Sequence, residues 1–138
     1  MKYKLIILII LLFSCNNTKI KKVNKNQDYF IEFFYHDQGV KYPMRYTCGK
    51  LKSGNINSKP NYKKIKNKEY VQKIISYYSN LENNNEERFD ARIHFLVHHE
   101  KKVDTICMGE YFGIVVNGVT KVDSKEFIDF IKEEIYKK

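Results

Sequence analysis

The stretch FDARIHFLVHHEKKVDTICMGEYFGIVVNGVTKV, residues 89–122, decides the fold of this chain. From Phe89 to His98 apolar and polar residues alternate, with only Leu96 out of step, and this period of two is typical of a strand that buries one face. Segments 103–108, 111–116 and 119–122 are also strand-like, and the links between them are of hairpin length, which favours antiparallel pairing. Asn117-Gly118 is the clearest turn signal, because both residue types tolerate the positive φ of a type I′ turn.

The flanking segments add two strands and two helices. Asp28 to His36 is nearly all apolar and predicts a central strand, while Pro43 to Leu51 predicts a weaker second strand and Lys52 to Asn67 a long loop. Asn67 is a plausible N-cap for an amphipathic helix of about 14 residues. Asp123 is expected to cap a last helix, with Glu126 three residues on as in a capping box. The order β-β-α-β-β-β-β-α predicts an α+β fold, a two-layer sandwich in which two amphipathic helices cover one face of a mostly antiparallel sheet.

The N-terminus carries an export signal. A short basic segment with Lys2 and Lys4 precedes the apolar run Leu5–Phe13, which has signal-peptide length and is too short to span a bilayer. Leu12-Phe13-Ser14-Cys15 then resembles the lipobox of bacterial lipoproteins, and the resemblance implies cleavage before Cys15 and acylation of Cys15. The alternative is a plain secretory signal in which this cysteine is incidental.

The resemblance divides the chain into three parts. Residues 1–14 are the lipoprotein signal peptide, 15–27 are the lipidated cysteine and a flexible polar tether, and 28–138 are a single globular domain. Asn16 in place of Asp, by resemblance to the sorting rule of enteric bacteria, favours the outer membrane over the inner one. The expected location is therefore the cell envelope, at the outer membrane or in the periplasm, with palmitate-type acyl chains as the anchor.

Charge is distributed unevenly along the chain. The 138 residues include 22 Lys but 3 Arg, and the net charge is +9. The most basic stretch, a possible binding loop, has seven lysines and no acid: Lys50, Lys52, Lys59, Lys63, Lys64, Lys66 and Lys68. Such a stretch could meet anionic lipid, lipopolysaccharide or an acidic protein, or simply be a solvated loop. Nucleic acid is not an expected partner, because its readers rely on arginine and an anchored envelope protein rarely meets it.

Two cysteines remain after Cys15. An exported chain with an even pair favours a disulfide between Cys48 and Cys107, both of which lie in strand-like segments. The closed loop of about 60 residues would add on the order of 4 kcal/mol to the free energy of unfolding. Two buried free thiols are the alternative, since cysteine often fills a core as a small apolar residue.

The C-terminal part carries a second resemblance. The segments Phe89-Asp90-Ala91-Arg92, Asp104 to Gly109 and Val116-Asn117-Gly118, followed by the closing helix, are similar to small lipoproteins of Bacteroidota. The resemblance implies the envelope location and the two-layer fold. It brings no catalytic residue.

Candidate catalytic and metal-binding residues are sparse. His94 and His98 share one face of the predicted strand, but their Cα atoms would lie roughly 13 Å apart, too far for one tetrahedral zinc. Cys107 has no adjacent group expected to activate it as a nucleophile. Asp90, Asp104 and Glu110 could approach one another across the sheet, and Arg92 is a natural ion-pair neighbour. We therefore predict no catalytic residue, no metal and no cofactor.

Aromatic residues are abundant, with 11 Tyr and 9 Phe. Tyrosine is favoured at protein interfaces, and six tyrosines are the most available for a surface: Tyr35, Tyr42, Tyr46, Tyr62, Tyr77 and Tyr111. The first hypothesis is a lipid-anchored, non-catalytic binding module whose partner is a protein of unknown identity, with an immunity-type inhibitor of a secreted toxin as one version. The alternatives are an envelope hydrolase or metal-dependent enzyme that uses His94, His98 and the carboxylates, and a structural outer-membrane lipoprotein.

Overall fold

A computed structural model of the chain describes residues 29–53, 59–85 and 89–137. The predicted signal peptide, Cys15 and the tether fall in residues 1–28, outside the described residues. Within the described part, no helix is long and apolar enough to span a membrane.

The described part is built on one six-stranded antiparallel sheet. Its strands are β1 (Phe30–Tyr35), β2 (Asn61–Ile65), β3 (Ile93–His99), β4 (Lys102–Met108), β5 (Ile114–Val116) and β6 (Val119–Lys121). They lie in the order β2-β1-β3-β4-β5-β6. The helices are α1 (Cys48–Ser53), α2 (Lys68–Ser79) and α3 (Lys125–Tyr136). The predicted α+β class is confirmed.

The main hydrophobic cluster lies between one face of the sheet and the helices α2 and α3. Alternate residues of β1 and β3 point into it because side chains alternate along a strand, and both helices contribute the apolar residues that recur at helical spacing. The fully buried members include Phe33, Phe95, Ile74, Phe127 and Ile131. Each Å² of apolar surface removed from water contributes about 25 cal/mol to stability. Because most of the buried apolar residues of the described part belong to this cluster, it is the principal source of stability.

The second strand is not where the sequence predicted it. Pro43–Leu51 is not a strand: its last residues form α1, and the strand β2 lies at Asn61–Ile65, inside the predicted loop Lys52–Asn67. β2 is an edge strand, in which only Ile65 packs against the main cluster. An edge strand needs little apolar character and is often rich in lysine, which prevents pairing with other chains. Its sequence therefore resembled that of a loop.

The helix α1 lies on the opposite face of the sheet. Leu51 is its buried residue, and it packs in a second hydrophobic cluster with Tyr46 and Ala91, against Phe34 of β1. A two-layer description thus accounts for α2 and α3 but leaves α1 out. The segment that ends in α1 becomes important below because it forms one wall of a cleft.

Two helix caps and one turn test the local predictions. Asn67 caps α2 as predicted, and its side chain accepts a hydrogen bond from the backbone N–H of Tyr70 at 3.0 Å. The prediction that Asp123 caps α3 is wrong: Ser124 is the N-cap, while Asp123 accepts a hydrogen bond from the N–H of Gly113. A long-range partner thus holds the carboxylate that the local pattern assigned to the helix. Asn117 and Gly118 both have positive φ, as the predicted turn requires.

Candidate binding cleft

A cleft of about 400 Å³ opens at one end of the sheet, where β1 ends and β3 begins. Three segments meet there: the residues after β1, the residues before β3, and the loop 109–113 between β4 and β5. Its lining consists of Gly39, Val40, Lys41, Tyr42, Asp90, Arg92, Gly109, Glu110, Tyr111 and Phe112. We call it the loop-end cleft. The strand predicted to begin at Phe89 in fact begins at Ile93. Asp90 and Arg92 therefore lie before the strand and line the cleft.

Two glycines permit the tight conformation of the loop 109–113, and hydrogen bonds hold it. The N–H of Gly109 donates to the carbonyl of Gly113 at 3.0 Å and closes the loop. Gly113 has φ +89°, and a side chain there would overlap Phe89; a side chain at Gly109 would overlap the carbonyl oxygen of Phe112. Only glycine satisfies both the dihedral and the space at position 113. The N–H of Gly113 also donates to the carboxylate of Asp123, so hydrogen bonds fix both ends of the loop.

This loop presents two aromatic side chains to solvent. Tyr111 is 71% exposed and Phe112 58% exposed, and Val40, 40% exposed, lies across the cleft from them. The ammonium of Lys132 lies 5.0 Å from the centre of the Tyr111 ring. Burying large aromatic side chains against a partner is strongly favourable. Two adjacent exposed aromatic residues therefore point to a binding surface.

An arginine side chain forms the polar base of the cleft. The Arg92 side chain is 11% exposed, forms an ion pair with Asp90, and lies with its guanidinium carbon 4.6 Å from the centre of the Tyr42 ring. Asp90 also accepts a hydrogen bond from the N–H of Tyr46 at 2.7 Å. The predicted pairing of Arg92 with a nearby carboxylate is confirmed. The pair joins the start of β3 to the residues that follow β1.

His36 lies buried behind this base. It is 3% exposed, and its ring packs against Tyr42 and Tyr46 with centroid separations of 4.7 and 5.6 Å. Burial, together with the positive charge of Arg92, lowers the pKa of His36 below its ordinary value. A neutral imidazole suits a stacked, apolar position, so His36 supports the cleft wall from inside.

Five of the seven lysines of the predicted basic loop lie on helices or on a strand, and Lys59 and Lys66 lie in the connecting segments. Lys50 and Lys52 are on α1, Lys63 and Lys64 on the edge strand β2. Lys63 bonds the carboxylate and the carbonyl of Glu134, and Lys64 lies 3.8 Å from the Phe30 ring. Lys68 lies 5.2 Å from the Tyr29 ring, whereas Lys59 and Lys66 are exposed. None of the seven lines the loop-end cleft.

The histidines on β3 have different surroundings and form no joint site. His94 is 3% exposed and neither ring nitrogen has a hydrogen-bond partner among the described residues. Burial lowers the pKa of His94 to about 4, with a further contribution from Lys52. His98 instead contacts the Glu32 carboxylate at 3.0 Å. Within residues 29–53, 59–85 and 89–137, no group of three or more His, Cys, Asp or Glu is arranged to hold a metal ion.

The fold places Asp104 apart from Asp90 and Glu110, the two carboxylates that were considered together with it. Asp90 and Glu110 both line the cleft, where Glu110 accepts a hydrogen bond from the N–H of Gly39 at 2.9 Å. Asp104 instead accepts hydrogen bonds from Tyr78, Asn117 and the ring of His99. Each carboxylate thus has a partner of its own inside the protein.

The six predicted surface tyrosines differ in how far they are exposed to solvent. Tyr62 and Tyr111 are exposed, and Tyr111 is at the cleft. Tyr35, Tyr42 and Tyr77 are half-buried, and Tyr46 is buried. Sequence reasoning missed Phe112, Val40 and Arg92 as members of one surface. The signal available was the pair Gly109 and Gly113 bracketing two aromatic residues.

Cys48 and Cys107 form a disulfide with a Cα–Cα distance of 5.7 Å. It joins the first residue of α1 to β4, on the face of the sheet opposite α2 and α3. The expectation that Cys48 lies in a strand is wrong, because it begins a helix. Cys107 is buried and lies directly opposite His94 in the pairing of β4 with β3.

Comparison of the chain with protein-family models, curated proteins and solved structures found no match. The cleft therefore has to be interpreted from its own geometry.

Proposed function

We propose that this chain is a lipid-anchored binding module of the bacterial cell envelope, without catalytic activity, and that it binds a protein through the loop-end cleft. The observation that carries the proposal is the exposed pair Tyr111 and Phe112 on a glycine-bracketed loop. Binding energy at protein interfaces concentrates in a few aromatic and arginine side chains surrounded by weaker contacts. A rigid loop loses little conformational entropy when it binds, which favours affinity.

The position of the cleft is compatible with an anchor at Cys15. The predicted tether precedes β1, whose first residue Phe30 pairs with His98 at one end of the sheet. The cleft lies beyond Tyr35, the last residue of β1, about 17 Å further along at 3.3 Å per residue. An anchor at Cys15 would thus join the domain at the end of the sheet opposite the cleft, and the flexible tether would leave the cleft free to meet a partner.

The polar groups of the cleft favour binding over catalysis. Asp90 is paired with Arg92 and Tyr46, and Glu110 with Gly39. A general acid or base must exchange its proton with a substrate, whereas these carboxylates are used to position the walls.

The first experiment is capture of the partner. The chain without its signal peptide and Cys15, residues 16–138, is used as bait on native envelope and secreted fractions, because it keeps every residue of both hydrophobic clusters. A captured protein supports the proposal only if it is identified and binds the purified chain stoichiometrically. Y111A/F112A should then weaken binding by about 30-fold or more, and Y62A, which truncates an exposed tyrosine on β2, should not. Equal binding of the partner by the wild-type chain, Y111A/F112A and Y62A would refute the cleft as the binding site.

The identity of the partner separates the versions of this function. A secreted toxin would indicate an immunity-type inhibitor, and a resident envelope protein would indicate a structural role.

The anchor is tested separately. The intact gene product should incorporate labelled palmitate and sediment with membranes, and C15A should do neither. Labelling that persists in C15A would refute lipidation at this residue without bearing on the cleft.

A further inference from the structure

Cys48, one of the two cysteines of the disulfide, lies in the middle of the long connection between β1 and β2. This connection comprises residues 36–60, and Cys48 is equally far from Tyr35 and from Asn61 along the chain. A typical connection in a compact domain has about 4–6 residues, and this longer one contains the helix α1. The residues that line one wall of the loop-end cleft, 39–42, belong to it.

Apart from the disulfide, residues 39–51 of this connection are attached to the rest of the domain through Tyr46, Gly39 and the packing of Arg92 on the rings of Tyr42 and Tyr46. Tyr46 exchanges two hydrogen bonds with the segment before β3: its N–H donates to Asp90 and its carbonyl accepts from Ala91. Gly39 donates to Glu110. The cluster beneath it contains three buried residues, Tyr46, Leu51 and Ala91, whereas sixteen buried residues form the cluster on the other face.

The two hydrophobic clusters should therefore depend differently on the disulfide. The six-residue helix α1 is too short to be stable alone, and segments with few buried contacts open locally at low free-energy cost. The main cluster, with α2 and α3, includes neither cysteine.

We infer that the Cys48–Cys107 disulfide is a redox switch that builds the loop-end cleft, so that the chain binds its partner only after oxidation. This inference rests on the proposed function for the identity of the site. In the reduced state residues 39–51 leave the sheet while the sheet, α2 and α3 remain folded. Oxidation removes two electrons and two protons from the two thiols, forms one S–S bond and reduces the disulfide of a thiol oxidant. Such oxidants act outside the reducing cytoplasm, so the site would be completed on export.

Hydrogen exchange measured by mass spectrometry on residues 16–138 tests the switch directly. The oxidised protein is compared with protein reduced by dithiothreitol, and alkylation confirms that both thiols are free. In the reduced state, amides of residues 39–51 should exchange at least about tenfold faster, and amides of β3, β4 and α3 should change little. C48S/C107S should reproduce the reduced pattern. S53A, which alters α1 but keeps the disulfide, serves as the control.

His94 offers a second measurement. His94 lies on the face of the sheet that α1 covers. Burial lowers the pKa of His94, and Lys52 of α1 lowers it further. Release of α1 should return the imidazole pKa from about 4 towards its ordinary value, as followed by NMR titration.

Each outcome decides between the alternatives. Unchanged exchange of residues 39–51 after complete reduction would overturn the switch, and so would unfolding of the whole domain, because the disulfide would then be a general stabiliser. Equal capture of the partner by reduced and oxidised chain would overturn the switch and leave the proposed function intact. Failure of the oxidised chain to bind any partner would refute the proposed function, while the exchange data would still decide on the switch.

Discussion

The hydroxyl of Tyr78 on α2 donates a hydrogen bond to Oδ2 of Asp104 on β4, 26 residues later in the chain. The same carboxylate accepts from Asn117 at 2.8 Å and contacts the ring of His99 at 2.7 Å. One half-buried acid thus connects a helix, both strands of the β3–β4 hairpin and the turn between β5 and β6. Burial alone would raise the pKa of Asp104, but the hydrogen bonds outweigh burial and lower it.

Replacement of Asp104 should therefore destabilise the fold in a pH-dependent way. We expect D104N to reduce the free energy of unfolding by about 2 kcal/mol at pH 7, since hydrogen bonds to charged groups contribute about 1.5–3 kcal/mol each. A lowered pKa stabilises the folded state above the ordinary pKa of aspartate, and this contribution is lost as pH falls through the folded value. Urea unfolding from pH 7 to pH 3 should show the difference between wild type and D104N shrinking in acid. D129N, at an exposed ion pair with Lys125, should have little effect at any pH.

His94 should make the protein sensitive to mild acid. Its folded pKa of about 4 lies below the ordinary value of 6.5, so the unfolded chain binds more protons between these values. As the pH falls from about 6.5 to about 4, the free energy of unfolding should decrease by about 3 kcal/mol. Below pH 4 the contribution of His94 should not change further. H94F keeps a ring and removes the titration, so its unfolding midpoint should vary less with pH. His36 contributes with the same sign, so part of the acid sensitivity should persist. A wild-type midpoint that is constant from pH 7 to pH 4.5 would contradict this explanation.

The glycines of the cleft should differ in their tolerance of a side chain. Gly113 and Gly39 both have positive φ, but a Cβ at Gly113 would overlap Phe89, whereas a Cβ at Gly39 meets nothing within 4 Å. We expect G39A to cost about 1 kcal/mol from the dihedral alone and G113A at least about 2 kcal/mol more. Thermal unfolding of the two variants side by side measures this. Equal costs would mean that the loop 109–113 can move away from Phe89 and is not rigid.

The aromatic pair of the cleft should matter for binding and not for folding. Tyr111 and Phe112 are exposed, so Y111A/F112A should change the free energy of unfolding by no more than about 0.5 kcal/mol. The same variant should weaken partner binding by about 30-fold or more if the pair is a binding hot spot. A large loss of stability would instead assign the pair a structural role.

The elements predicted well are those whose signal is local and periodic. The alternation in β3, the helical spacing in α2 and α3, and the Asn117-Gly118 turn all follow from the conformational preferences of neighbouring residues, and the structure contains each of them. The strand β2 was missed because its pairing with β1, in the register Phe33↔Lys63, depends on backbone hydrogen bonds that leave no apolar pattern. The cap of α3 was misassigned because Asp123 has a partner ten residues away.

The sequence by itself determined the antiparallel α+β class, the helices that bury apolar stripes, and the lipobox-like segment from which the anchor is predicted. These features depend on residues close together in the chain, whose spacing is visible before folding. Only the tertiary structure decided that Arg92, Tyr111 and Val40 share one cleft, and that α1 lies against the second face of the sheet beside His94. Residues from three separate segments meet at the cleft because antiparallel pairing brings the end of β1, the start of β3 and the β4–β5 loop to one end of the sheet. Sequence spacing carries no information about such a meeting.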